Sequence, residues 1–168
     1  MKQTALRYGG LSLASLVVIF SLTFLVFRGS TDYDKMEVLG YLSMLVAMAF
    51  VFFGIRHYRN EVAGGYLSFG AGLKVGLLIV IIPAIGFGLF DLLYTEVLNP
   101  GWKASYTAHQ LTKLKPEEQE AFRKEMEAFA NPVFQFVAMA GTVLVLGLIV
   151  TIISTLALMR RRGVAASL

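Results

Sequence analysis

From residue 131 to residue 159 the chain carries no ionisable side chain, and three further stretches, 9–27, 38–55 and 75–90, are apolar and free of charge. A bilayer hydrocarbon core about 30 Å thick is crossed by roughly 20 helical residues rising about 1.5 Å each. Inside lipid the backbone amides have only one another to bond, so each such stretch must be a helix. The predicted spans are 9–27, 37–56, 70–95 and 133–159. The expected fold class is all-α: four transmembrane helices in an antiparallel bundle, plus one amphipathic helix, about 116–130, in the loop before the last span. Apolar residues make up 57% of the 168. Little chain is left for a soluble domain, and 1–168 is read as a single integral membrane domain.

Charge gives the orientation. One side of the membrane, side one, receives Lys2, Arg7, Arg56, Arg59 and the triplet Arg160, Arg161, Arg162, with Glu61 as its acid. Side two receives Arg28, Lys35, Lys103, Lys113, Lys115, Arg123 and Lys124, diluted by Asp32, Asp34, Glu37, Glu96 and the glutamates of 117–127. The bases tie in number, but those of side one stand closer to span ends in short loops, which predicts both termini on the cytoplasmic side of a bacterial inner membrane. The net charge of +4 sits at helix ends and forms no basic stripe with interleaved aromatics, so lipid and not nucleic acid is the expected partner. The first span follows a basic lead as a secretory signal would. It is too long for one, and its exit, Val26, Phe27, Arg28, Gly29, has no small-x-small cleavage site, so it is expected to be retained.

Small residues recur on one stripe of two spans: Gly40, Ala47 and Gly54 in the second, Ala140, Gly147 and Ser154 in the fourth. Seven-residue spacing is the left-handed bundle period, and close approach through small residues holds helices together in lipid. Gly72 and Gly76 offer the same device at the start of the third span. Pro83, followed by Gly86 and Gly88, predicts a static bend there. Tyr8, Tyr33, Tyr58, Tyr66, Tyr94, Tyr106 and the lone Trp102 fall at span ends, as interfacial anchors do.

Two charges interrupt the third span. Lys74 lies within two turns of its start, where a four-carbon stem carries the ammonium to the interface. The glycine-rich run before it lacks the Gly-Lys-Ser/Thr ending of a phosphate loop. Asp91 is too short to snorkel and stands about 25 Å along the helix from Lys74, so the two are not partners. It must face water, a base such as Arg28 or Lys35, or an inter-helix cavity, which makes it the leading candidate for function. His57 and His109 fall on opposite sides of the membrane and neither has a second ligand at zinc-like spacing, so no metal or other cofactor is expected. The chain has no cysteine, which removes thiol chemistry, and no catalytic constellation is visible.

Lys115, Pro116, Glu117, Glu118, Gln119 and Glu120 read as a helix start with proline at the first position and acids in the first turn. Phe122, Met126, Phe129 and Val133 then recur at helical spacing opposite the pairs Glu120–Lys124 and Arg123–Glu127.

Three segments carry a resemblance: Gly40, Tyr41, Leu42, Ser43, Met44 with Phe53, Gly54, Ile55, Arg56; Gly64 to Gly70 leading to Lys74, Val75, Gly76; and Asn131, Pro132 leading to Gln135 and Gly147. Together they resemble a family of small four-span membrane proteins of unknown function common in Bacteroidetes-like bacteria. The resemblance implies architecture and membrane location, and brings no activity with it. The expected role is that of a non-enzymatic membrane protein assembling with or supporting another membrane component, as a homo-oligomer or with a membrane-protein partner. The alternative is a small oligomeric transporter or channel using Asp91 and Lys74.

Overall fold

A computed structural model describes residues 1–27 and 32–160. Arg28, Arg161 and Arg162, three of the charges weighed for orientation, lie outside the described residues. Four long helices form an antiparallel bundle: α1 (Lys2–Val26), α2 (Tyr33–His57), α3 (Phe69–Leu93) and α6 (Pro132–Leu158). Two shorter helices, α4 (Trp102–Leu111) and α5 (Pro116–Ala128), occupy the connection between α3 and α6. A π-helical turn continues α2 through Tyr58–Val62 and another continues α3 through Tyr94–Leu98. All four long helices are long and apolar enough to cross a membrane, which marks the chain as a multi-pass membrane protein.

The helix starts follow side-chain chemistry. Asn131 accepts from the N–H groups of Val133 and Phe134 at 2.9 and 3.3 Å, and Pro132 fills the first helical position, where no N–H is needed. Ser68 accepts from the Ala71 N–H at 3.3 Å. The first helix begins at Lys2 and not near residue 9, because Thr4 and Ala5 are buried against the bundle and packing draws the helix back.

The connection differs from expectation in two ways. It holds two helices, and α5 ends at Ala128: Phe129 is its cap residue, and Val133 belongs to the first turn of α6 at 71% exposure. Pro132 biases the residue before it away from helical geometry and so ends the stripe after Phe122 and Met126. Those two remain half-buried, while Glu120 and Lys124 pair at 3.0 Å on the wet face.

The two central helices, α2 and α3, pack on each other, with α1 and α6 flanking them. A Cβ at Gly72 would stand 2.5 Å from Thr155 Cγ2, one at Gly76 would stand 2.8 Å from Thr151 Oγ1, and Gly147 is pressed by Val80 in the same α3–α6 seam. Gly54 meets Tyr8 and Ile79, and Gly40 faces the Phe20 ring. Ala47, Ala140 and Ser154 are buried. The third helix runs unbroken through Pro83. Proline cannot donate to the Ile79 carbonyl, and α1 closes onto that carbonyl at Gly9, where a Cβ would come within 2.9 Å of it. Between α1 and α2 the buried Ser12 hydroxyl donates to the Ala47 carbonyl at 2.9 Å. Such inter-helix bonds in lipid average about 0.6 kcal/mol. The Ser12→Ala variant should lose about that much in a denaturation titration in micelles, and a loss above about 2 kcal/mol would mean that Ser12 does more than this one bond.

At side one the bundle is closed. The backbones of Leu67 and Arg160 exchange two hydrogen bonds of 3.0 Å, and Arg59 donates to the Leu158 carbonyl at 3.3 Å. The reversal from α2 into Leu67 uses Gly64 and Gly65 at φ +64° and +86°, a region costly to residues with a Cβ.

Candidate functional site

At side two the four long helices leave a cavity of about 210 Å³ roofed by α4. Its floor is Phe20 and Phe87, which meet edge to face at 4.8 Å between centroids. Its walls are two stacked aromatic pairs, Phe24 on Tyr94 at 3.8 Å and Trp102 on Tyr106 at 5.0 Å, with Tyr33 edge-on to Tyr106. Tyr33, Tyr94, Tyr106 and Trp102, expected as interfacial anchors at span ends, therefore also line this space. The cause is α4, which folds back across the bundle end with Trp102 and Tyr106, four apart, on the face turned to the cavity.

Asp91 also lines this space. Its carboxylate accepts from the Gln135 amide of α6, which donates as well to Thr95 Oγ1 at 2.8 Å. Thr95 in turn donates to the Asp91 carbonyl at 3.0 Å. Asp91 and Thr95 are four apart, so they share one face of the helix and meet Gln135 together. Gln135 is 2% exposed and its Oε1 has no partner among the described residues. Of the surroundings left open for Asp91, the structure places it at a cavity with a neutral amide beside it. Lys35 is engaged at 2.6 Å by Asp32, and Arg28 lies outside the described residues.

The second acid of the lining is Glu37, exposed at the rim beside Tyr41 and acting on the Tyr106 hydroxyl. Burial raises the pKa of Tyr106, opposed by the bond from Gln110 and reinforced by Glu37, so the phenol stays protonated at neutral pH. The roof is tied down at both ends: Lys103 binds Glu96 and the Phe129 carbonyl, and Lys113 binds Asp34 at the start of α2. Trp102 Nε1, although buried, has no partner among the described residues.

Lys74 does not join this site. It is exposed on the outer face of α3, near the other end of the bundle. Among the described residues no three histidine or acidic side chains converge as a metal site would need. Gln135 and Thr95 are neutral, so nothing in their charge marks them in the sequence as partners of Asp91. The available signal was the spacing of Asp91 and Thr95 together with one amide four residues past the Asn131 cap.

No curated protein and no solved structure matches the chain. The model of a family described as "Protein of unknown function (DUF4199)" matches residues 7–160, which hold every residue that lines the cavity, and the chain belongs to that family.

Proposed function

We propose that the protein is a non-enzymatic binding protein of the bacterial inner membrane, its termini cytoplasmic and its cavity opening outward, whose bundle exists to hold a small molecule at side two. The observation that carries this is the cavity itself: an aromatic-walled space contributed by all four long helices and α4, with a hydrogen-bonded triad of Asp91, Thr95 and Gln135 at its wall. Sites of this kind, apolar with few fixed polar groups, are where small ligands bind. Bases close to short-loop span ends support the orientation. Binding is favoured over passage because the bundle below the cavity is solid, with Met48, Val51, Ile79 and Val80 fully buried, and because Lys74 stands outside it. The exposed charged face of α5, which packs on the α4 roof, is the surface on which a membrane partner would read occupancy.

Trp102 is the one tryptophan of the chain and lines the cavity, so its emission reports occupancy directly. In nanodiscs, a panel of small neutral, cationic and anionic compounds should contain members that change that emission saturably and raise the melting temperature. A ligand at 100 times its Kd adds about 2.7 kcal/mol. Thr142→Phe, which fills the cavity from α6, should abolish both effects while the unliganded variant still melts cooperatively. If no compound moves either signal in the unmodified protein, the binding reading fails.

A further inference from the structure

We infer that the cavity is shaped for an alkylammonium group, carried either by a lipid headgroup or by a free organic cation; this rests on the binding reading above and names the ligand class. Charge is the first argument. Among the described residues the charged side chains lining the space are Asp91 and Glu37, both acids. The nearby bases are turned elsewhere: Lys35 to Asp32, Lys103 to Glu96 and the Phe129 carbonyl, Lys113 to Asp34. Lys103 does not line the cavity. The donor that touches Asp91 is a neutral amide, which brings no positive charge to the site. An anion entering here would meet two carboxylates and no base in the lining, whereas a cation would complete the charge.

The walls are the second argument. Aromatic faces attract ammonium groups through the ring quadrupole, most strongly where water is excluded, and quaternary ammonium groups are recognised by cages of this composition. A bare metal ion is a poor fit, because among the described residues no three histidine or acidic side chains converge here. The volume of about 210 Å³ is many times the roughly 10–15 Å³ that one water needs, which leaves room for a substituted ammonium with a short body. Access runs past α2, since Glu37 and Tyr41 at the rim are exposed. That lets a headgroup from the adjoining leaflet or a solute from side two enter.

The test uses the full chain in phosphatidylglycerol nanodiscs, which hold no ammonium group, with benzyltrimethylammonium as probe and its uncharged carbon isostere as control at matched ionic strength. The cation should change Trp102 emission saturably and bind at least tenfold more tightly than the isostere. Asp91→Asn, which keeps an acceptor for Gln135, should weaken the cation about tenfold and leave the isostere unchanged. Glu37→Gln, at an exposed position that the fold does not depend on, should weaken it about threefold. Adding phosphatidylethanolamine to the discs identifies the source: competition with the probe assigns the site to a headgroup, and unaltered probe affinity assigns it to a free cation. Equal binding of cation and isostere, with neither acid variant altering it, would overturn the ammonium assignment and leave ligand binding standing. Silence of Trp102 towards the cation, the isostere and the whole compound panel would remove both.

Discussion

Gly76→Leu is expected to be among the most damaging single substitutions in the bundle, lowering stability by about 3 kcal/mol. Gly76 lies in the seam where α3 packs on α6. A Cβ there would run into the Thr151 side chain and approach Ile55 Cδ1 at 3.0 Å, and both neighbours are fully buried. Lipid offers no hydrophobic drive that would press the helices back together once they are forced apart, so the lost contacts are not recovered elsewhere. Denaturant titration of the protein in mixed micelles, followed by circular dichroism, measures the loss. Gly70→Leu is the matched control: Gly70 lies two turns earlier on α3, is exposed, and has nothing within 4 Å of its missing Cβ, so its loss should stay below about 0.5 kcal/mol. The milder pair Gly76→Ala and Thr151→Ala should couple by more than about 1 kcal/mol, because the second change removes the methyl and hydroxyl that the first collides with. Additive effects in that cycle would mean that the seam does not hold α3 to α6.

This seam was legible because membrane helices write their contacts in a short alphabet. Gly72, Gly76 and Gly147 are conspicuous among leucines and isoleucines, and the length of an uncharged run fixes a span without further information. The helix ends were less legible, since Thr4 and Ala5 or the π-helical turn Tyr94–Leu98 are held helical by packing that no local pattern records. The site was the least legible part. Its roof, α4, is a short helix in a polar connection, and tyrosines at span ends look the same in sequence whether or not they also line a cavity. Its polar core is an amide and a hydroxyl, which carry no charge and so draw no attention in a search for ion pairs. Asp91 alone was visible, because an acid at the end of an apolar run is costly wherever it points.

Gln135→Leu tests whether that core is a unit. Gln135 is the donor that α6 offers to both the Asp91 carboxylate and Thr95 Oγ1, and it is 2% exposed. Leucine fills nearly the same volume, so packing is kept while the acid loses its partner. A hydrogen bond to a charged group contributes about 1.5 to 3 kcal/mol, and leaving the acceptor bare costs more than the bond is worth in isolation. Against this, inter-helix polar pairs in membranes average only about 0.6 kcal/mol, because a freed group usually finds another partner. Asp91 borders a cavity, so water takes over part of the donor's work, and the expected loss is about 2 kcal/mol, between the two limits. Removing both partners should then cost less than removing one: Gln135→Leu combined with Asp91→Leu should recover at least half of the loss, since no bare acid remains. The same double variant should have lost its selectivity for benzyltrimethylammonium over the uncharged isostere, because the carboxylate that distinguishes them is gone. A single Gln135→Leu variant as stable as the parent would show that Asp91 is held by water alone and that α6 positions nothing at this site.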